Sequence, residues 1–236
     1  MNLLDNPLLE LINVTDRNKL NKQLLVIIEL INKKTINDND LKTLLVTRKE
    51  KKGWEGNYVD GFIYEVLLQS KDEKIKDFLD KECRDGIVNL ESEVEVKYDK
   101  LRELLCNKNF QEADQLTQQK LCELAKIDIK NRSWLYFTDV KRLPTKDLIT
   151  IDKLWQVHSQ GKFGFSIQRQ IWLSTNKNWN KLWDKLGWQI QNNLCRYPNE
   201  FIWDLSAPTG HLPLFNQLRG VQVLSSVFNH PAWDIV

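Results

Sequence analysis

Apolar residues recur at spacings of three and four along most of this 236-residue chain. The segment from Leu20 to Ile31 shows the pattern, with Leu24 and Ile27 between its ends. Such a period places one apolar stripe along a helix, whereas a half-buried strand needs strict alternation, which is sparse in this sequence. We therefore predict an all-α protein, in which an N-terminal helical bundle precedes a C-terminal helical core.

A domain boundary is predicted near residue 90. The sequence is polar from Asp85 to Ser92 and dense in charge from Glu91 to Lys97, as is common in segments that link domains. We assign residues 1–90 to the N-terminal bundle, with two helices before residue 34 and three after it, and residues 91–236 to the core domain. The bundle shows no cluster of reactive side chains, so we expect a packing or docking role for it.

The core domain is predicted to open with a helical hairpin. Its helices cover Val94–Leu105 and Phe110–Leu124, and Asn109 is positioned to cap the second. Further helices are predicted at Asp147–Ser159, Ser166–Trp172, Asn178–Leu186 and Leu214–Phe228. Ser166 is expected to cap the helix that it begins.

The segment from Phe201 to Pro213 does not follow the helical period. Four large apolar side chains stand there among two prolines, a glycine and polar turn residues, namely Phe201, Trp203, Leu205 and Leu212. This mixture suits neither a helix nor a long strand. Connections longer than about 12 to 15 residues are usually functional or disordered, and aromatic richness argues against disorder. We predict an ordered loop with a binding role.

Composition excludes several classes of function. The chain has 34 Lys plus Arg against 32 Asp plus Glu. Because these charges nearly balance, the sequence does not indicate a positive electrostatic potential that would attract nucleic acid. No apolar run approaches the roughly 18 residues of a membrane span. The N-terminus carries Asp5, Glu10 and Asp16 early, unlike a signal or transit peptide. We expect the protein to act in the compartment where it is made.

The four cysteines are widely spaced and form no C-x-x-C pair that would hold zinc or support redox chemistry. We expect reduced, mostly buried thiols and hence a reducing compartment.

Tryptophan is concentrated in the core domain. Of nine tryptophans, only Trp54 lies before residue 130. For the four on predicted helices we favour core packing, namely Trp155, Trp172, Trp179 and Trp183. For Phe201 and Trp203, pocket lining and core packing remain equal alternatives.

Four motifs of the core domain resemble one known family. They are Asp147–Trp155, Gly161–Gln168, Leu186–Trp188 and Ala207–Pro213. In combination they are similar to the Genomes-Uncoupled-Four family, tetrapyrrole-binding regulators of magnesium chelatase in chlorophyll-making organisms, over about residues 95–233. Trp203–Pro208 and Asn216–Val221 resemble the cyanobacterial members, which also carry a helical N-terminal domain. The land-plant and green-algal versions add a transit peptide and a C-terminal tail, neither of which we expect here.

The resemblance implies a helical core shaped like a cupped hand, whose apolar palm holds protoporphyrin IX and magnesium protoporphyrin IX as exchangeable ligands, with no permanent cofactor. It implies a non-catalytic regulator that stimulates the large subunit of magnesium chelatase in chlorophyll biosynthesis. We expect a monomer that associates peripherally with membranes and binds no nucleic acid. The expected location is the plastid stroma, for a plastid-encoded protein, or the cyanobacterial cytoplasm.

A porphyrin presents two flat apolar faces and two propionates, so its site needs apolar walls and a few cations. The residues predicted to supply the walls are Phe137, Phe163, Phe165, Leu194, Tyr197, Phe201, Trp203 and Leu212. Arg196 and Arg219, at the two ends of a flexible loop over the palm, are the predicted propionate partners. Some relatives carry tryptophan in place of Tyr197, which leaves ring discrimination open.

No metal-binding side chain is predicted. Mg²⁺ prefers oxygen ligands, so Asn216 or water suits an axial position better than His211. We expect His211 to hold the loop by a hydrogen bond.

Two other functions were considered. Asp204, Ser206 and His211 lie close in sequence, but no G-x-S-x-G elbow surrounds the serine, which disfavours a hydrolase. Asp147 and Asp152 are better interpreted as acids at a helix start than as a general acid/base pair. The alternative that remains open is a helical adaptor whose aromatic groove binds a protein segment without a small ligand.

Overall fold

The computed structural model describes residues 16–128, 130–215 and 220–234. The chain divides into two compact units, Met1–Asn89 and Leu90–Val236. The described residues form eleven α-helices and one two-stranded hairpin, so the all-α class is confirmed. None of the described helices is long and apolar enough to span a bilayer.

The first unit contains four described helices, which are α1 Arg17–Asn32, α2 Asp38–Lys49, α3 Tyr58–Leu68 and α4 Glu73–Glu82. The predicted helix before α1 lies outside the described residues. Asn37 and Asn57 cap α2 and α3 in reciprocal capping boxes with Asp40 and Asp60, which satisfies backbone N–H groups that a helix start leaves free.

A buried ion pair joins α2 to α3. The Arg48 guanidinium donates to the Asp60 carboxylate, and both side chains are almost fully buried. Asp60 also accepts from the Asn57 N–H at 3.0 Å. Two buried charges are tolerated only when they are paired and hydrogen-bonded, so this pair fixes how the two helices pack. The apolar period of the sequence did not indicate it.

The second unit contains the helices α5 Asp99–Cys106, α6 Phe110–Leu124, α7 Phe137–Val140, α8 Thr145–His158, α9 Phe165–Ser174, α10 Trp179–Leu186 and α11 Gln222–Phe228, followed by a 3₁₀ helix, Pro231–Asp234. Between α10 and α11 lies an antiparallel hairpin of β1 Gln189–Ile190 and β2 Asn193–Leu194. Gln189 pairs with Leu194 and Ile190 with Asn193. Helix α5 packs on α6 and α8, and α11 packs on α7 and α9.

Three aromatic rings fill the centre of the second unit. Phe163 lies with its ring centroid 5.4 Å from that of Phe110 and 6.3 Å from that of Trp155. The Trp155 indole N–H donates to Thr117 Oγ1 at 3.0 Å, so the buried polar atom has a partner. Core packing of Trp155 is confirmed by its complete burial.

Asp147 and Asp152 tie helices together. Asp147 accepts from the Tyr98 hydroxyl at 2.5 Å and from the Glu93 N–H at 2.9 Å. Asp152, on α8, accepts from the Ser166 N–H at the start of α9 at 2.9 Å. The prediction that Ser166 caps α9 was wrong, because Gly164 occupies the cap at φ +133°, where a Cβ would lie 2.7 Å from Asp152 Oδ1.

The last helix is shorter than predicted. It begins at Gln222 rather than at Leu214, because α6 side chains bind both backbone groups of Leu214 and hold it out of a helix. Asn109 precedes α6 as predicted, but its side chain makes no capping hydrogen bond. The cysteines are free thiols, and Cys83, Cys122 and Cys195 are buried.

Candidate functional site

Residues Phe201 to Phe215 are here called the aromatic loop. Hydrogen bonds join this loop to α9 and to the turn before α9. The Gln168 amide donates to the carbonyl oxygens of Gly210, at 2.9 Å, and Pro213, at 2.7 Å. Lys162 accepts from the Gly210 N–H at 2.7 Å, and its ammonium donates to Leu205 O at 2.6 Å. These bonds attach the loop to α9, as the prediction of an ordered loop requires.

Gly210 is required where the aromatic loop meets α9 and α10. Its φ is +81°, and a Cβ there would lie 2.7 Å from Leu186 Cδ2 and 2.9 Å from Ile171 Cδ1. Only glycine adopts this conformation without a side chain that clashes.

His211 holds the aromatic loop from inside. It is almost fully buried, its Nδ1 lies 2.6 Å from Leu186 O, and its Nε2 accepts from the Ile202 N–H at 3.1 Å. One donating and one accepting nitrogen describe a neutral imidazole, and burial lowers the pKa of His211. The predicted loop-holding role is confirmed.

The geometry of His211 also bears on the hydrolase alternative. Backbone groups occupy both ring nitrogens, and Asp204 Oδ1 accepts from the Ser206 N–H at 2.7 Å. Ser206, His211 and Asp204 therefore do not form a catalytic triad, in which the histidine must contact both other side chains.

A row of tryptophans lies behind the aromatic loop. Trp188 donates from its indole N–H to His211 O at 2.8 Å and stacks on Trp183 at 5.2 Å. Trp179 lies 5.5 Å from Trp183 and 5.1 Å from Trp172. Core packing is confirmed for Trp172 and Trp183, whereas Trp179 is only half-buried. The row gives the loop a stiff apolar support.

Three rings at the start of the aromatic loop and just before it form the aromatic cluster, defined as Tyr197, Phe201 and Trp203. Their centroids lie 5.7 to 6.5 Å apart. Tyr197 is 47% exposed and Phe201 only 7%, while Trp203 is half-buried and donates to Pro198 O at 3.0 Å. Tyr197 and Trp203 therefore offer the accessible ring surface, and Phe201 supports them.

Helix α6 borders the aromatic cluster on one side. Burial raises the pKa of Tyr197, and the nearby Gln115 side chain of α6 opposes that shift. Asp114 accepts from the Leu214 N–H at 2.7 Å, and Gln118 donates to Leu214 O at 2.6 Å. These α6 residues were not predicted. The sequence did contain one indication of their role. Asp114 is a polar residue beside Phe110 and Ala113, on a helix face that is otherwise apolar.

Three of the predicted wall residues lie in the core of the second unit. Phe163, Phe165 and Leu212 have no exposed surface. Phe163 belongs to the central rings, Phe165 packs against Phe215 at 5.4 Å, and Leu212 O accepts from the Gly164 N–H at 3.0 Å. Neighbouring elements cover all three side chains, and their part in ligand binding stays a prediction.

The other predicted residues are more accessible. Leu194 is half-buried on β2, and the Arg196 side chain is exposed, while its N–H donates to Glu200 Oε2 at 2.7 Å. Phe137 is 46% exposed on α7, and among the described residues no ring contact joins it to the aromatic cluster. Asn216 and Arg219 lie outside the described residues.

A cavity of about 560 Å³ lies elsewhere in the second unit. It is bordered by the ends of α7 and α11, and its lining combines polar side chains, including Glu93, Lys141, Ser225 and Asn229, with apolar surface. No residue of the aromatic cluster lines it. Without aromatic walls it suits a flat apolar ring less well than the aromatic cluster does.

Comparison with known proteins identifies the family. A family model described as GUN4-like matches residues 91–231. The chain belongs to the GUN4-like family. This is the family that the four motifs resemble, and the match covers the unit that contains the aromatic loop.

Similar proteins agree with this assignment to the GUN4-like family. The ycf53 protein of Pyropia yezoensis, described as uncharacterised, is 50% identical over 227 residues, which cover 96% of each chain. The chloroplastic tetrapyrrole-binding protein of Arabidopsis thaliana is 39% identical over 145 residues, 58% of this chain and 55% of that protein. The structure of GUN4 from Chlamydomonas reinhardtii superposes with a TM-score of 0.58 at 39% identity, covering 62% of this chain and 94% of that chain.

Proposed function

We propose that this protein binds protoporphyrin IX and magnesium protoporphyrin IX on the aromatic cluster. The observation that carries the proposal is a pair of partly exposed rings, Tyr197 and Trp203, which contact each other where the aromatic loop held by α9 and His211 begins. A rigid aromatic surface loses little conformational entropy when a flat ligand stacks on it. The Arabidopsis relative, whose name describes it as tetrapyrrole-binding, supports the ligand class.

The apolar contact alone gives only weak binding. Burial of roughly 400 Å² of apolar ligand surface at about 25 cal/mol/Å² contributes about 10 kcal/mol, against an association cost of about 4 to 15 kcal/mol. Hydrogen bonds to charged groups contribute about 1.5 to 3 kcal/mol each. We therefore propose that Arg196 and Arg219 bind the two propionates.

The proposed role of the complex is regulatory. The protein delivers or retains the porphyrin and thereby stimulates the large subunit of magnesium chelatase in chlorophyll biosynthesis, without inserting the metal itself. Membership of the GUN4-like family supports this role. Relatives are plastid-encoded, cyanobacterial and chloroplastic, which supports a plastid stroma or a cyanobacterial cytoplasm as the place of action. Monomeric state and peripheral membrane association remain part of the proposal.

Titration with deuteroporphyrin tests ligand binding. We expect a shifted Soret band and stoichiometric quenching of tryptophan fluorescence. Trp203→Leu should weaken binding about tenfold, because the loss of one aromatic stacking contact and its burial costs about 1 to 2 kcal/mol. Trp54→Leu, the matched change of a half-buried tryptophan in the first unit, should leave the affinity unchanged. A flat titration with the wild-type protein would overturn the proposal.

A helical adaptor that binds a protein segment is the second candidate. It is favoured by exposed apolar side chains beside the aromatic cluster in sequence, Ile190 and Ile202, of which Ile190 is 63% exposed. If the porphyrin titration is flat while a chelatase subunit is still retained in a pull-down, and Ile202→Asp abolishes that retention, this second function replaces the first.

A further inference from the structure

The cavity of about 560 Å³ lies where three segments of the second unit meet. Its lining comes from the turn between α7 and α8, from the end of α11 with the turn that follows, and from Glu93 in the segment before α5. Sites for small ligands usually have volumes of roughly 300 to 1,000 Å³. Because no residue of the aromatic cluster lines the cavity, a ligand bound there occupies a second site, separate from the proposed porphyrin site.

Hydrogen bonds fix the three segments that form the walls of this cavity. His230 Nε2 lies 3.0 Å from Leu143 O, which joins the turn after α11 to the turn before α8. Glu93 Oε1 accepts from the Lys146 N–H at 2.9 Å, and the Glu93 N–H donates to Asp147 Oδ2 at 2.9 Å. Walls that are held in this way before a ligand arrives reduce the entropy that binding costs.

Two opposite charges line the cavity. Lys141 and Glu93 both have exposed side chains, and neither forms an ion pair with another residue that the structure describes. The Lys146 N–H uses only one of the two Glu93 oxygens, so the second oxygen can accept from a ligand. The lining therefore offers one ammonium group and one carboxylate group to the same bound molecule.

Neutral polar groups accompany the two charges. The hydroxyl groups of Ser225 and Thr145 make no hydrogen bond to another side chain or backbone group in the described part of the chain. The Asn229 amide nitrogen donates to Ser225 O at 2.7 Å, which leaves the amide oxygen as an acceptor. His230 adds no third charge, because its Nδ1 accepts from the Ala232 N–H at 3.1 Å and is therefore unprotonated.

We propose that this cavity binds a small zwitterion, a free α-amino acid or a dipeptide, with the ligand carboxylate on Lys141 and the ligand ammonium on Glu93. Charge-assisted hydrogen bonds at both ends are the strongest contacts that such a lining provides. A ligand with a single charge leaves either Lys141 or Glu93 unpaired, whereas a zwitterion pairs both. Leu143 and Pro231 supply apolar surface for the carbon atoms of the ligand. The inference goes beyond the proposed function and does not depend on porphyrin binding.

Saturation-transfer NMR on the full chain tests this inference, with the standard free amino acids and glycylglycine as probes. We expect at least one probe to bind with a Kd on the order of 1 mM, the affinity that two charge-assisted hydrogen bonds support. Lys141→Met and Glu93→Gln should each weaken that binding at least about tenfold, and glutamine keeps an acceptor for the Lys146 N–H. Arg142→Met is the matched control, because Arg142 is an exposed neighbour that does not line the cavity.

Three results would overturn the inference. The first is that none of the probes binds to the wild type. The second is that binding persists in both Lys141→Met and Glu93→Gln while circular dichroism shows folded proteins, which places the ligand elsewhere. The third is that inorganic phosphate or glucose 6-phosphate binds and the amino acids do not, which makes the cavity an anion site. Trp203→Leu should leave amino-acid binding unchanged, so this test is independent of the porphyrin titration.

Discussion

Gln168 offers a sharp test of how the aromatic loop is held. Its fully buried side-chain amide donates two hydrogen bonds, to Gly210 O and Pro213 O, from one nitrogen. Its Oε1 is buried and has no hydrogen-bond partner within the described part of the chain. Gln168→Ala removes the nitrogen that donates both hydrogen bonds and leaves the carbonyl groups of Gly210 and Pro213 without this partner. It also removes Oε1, the unsatisfied acceptor.

The expected cost follows from these contacts. An unsatisfied buried carbonyl costs about 1 to 3 kcal/mol, and removal of the unsatisfied Oε1 returns a similar amount, so the loss of two bonds gives a net destabilisation of about 1 to 3 kcal/mol. The cavity left by the shortened side chain adds to this value. Because the loop carries Trp203, porphyrin affinity should fall together with stability.

Urea unfolding followed by tryptophan fluorescence measures the effect, since eight of the nine tryptophans lie in the second unit. Gln170→Ala is the matched control, because Gln170 is exposed two residues further along α9 and should change the free energy of unfolding by less than about 0.5 kcal/mol. If Gln168→Ala unfolds within that same margin of the wild type, the hydrogen bonds to Gly210 and Pro213 do not hold the loop.

Three more predictions concern other parts of the chain. Asp60→Ala should destabilise the first unit by about 3 to 5 kcal/mol in urea, because it leaves the Arg48 charge buried without a partner, and a loss below about 1 kcal/mol would contradict the buried pair. Burial lowers the pKa of His211 and of His230, so as pH falls below about 6.5 the unfolded chain takes up protons that the folded chain does not, and stability is lost. Burial raises the pKa of Asp114 to about 7, which acts in the opposite sense because its protonation at lower pH favours the folded chain. The measurement is therefore the difference in slope between the wild type and His230→Gln, which should lose stability less steeply, and equal slopes would refute the assignment. Deletion of residues 1–90 should leave deuteroporphyrin binding intact, because the aromatic cluster and the contacts that hold it all lie in the second unit, and loss of binding by a truncated chain that is still folded would show otherwise.

The secondary structure was largely accessible from the sequence. Spacings of three and four predicted the helices, because a helix that packs on one side must repeat its apolar residues with that period. Proline, glycine and aromatic residues between Phe201 and Pro213 predicted an ordered loop for the same local reason. The last helix was extended too far towards Leu214, since apolar spacing alone does not reveal that side chains from α6 bind the backbone of that residue.

The candidate site was harder to predict from the sequence than the helices were. Phe163, Phe165 and Tyr197 are all aromatic, yet the first two are fully buried and the third is half-exposed. The residue type shows that a side chain is apolar. Which neighbours cover that side chain depends on how distant segments pack against each other. Asp114 is a polar residue on an otherwise apolar face of α6, but we predicted no role for it, because the sequence does not indicate the backbone group that it binds.

The sequence by itself determined the helical class, the ordered loop and the family, because these follow from local periodicity, turn chemistry and motifs within a few residues. Tertiary structure alone decided which rings face solvent and which side chains hold the loop. Asp114 reaches Leu214 across 100 residues, and Gln168 reaches Gly210 across 42. Such pairs form only when the helices pack, because burial removes water as the competing partner and makes each buried polar group depend on the one group that packing brings within reach.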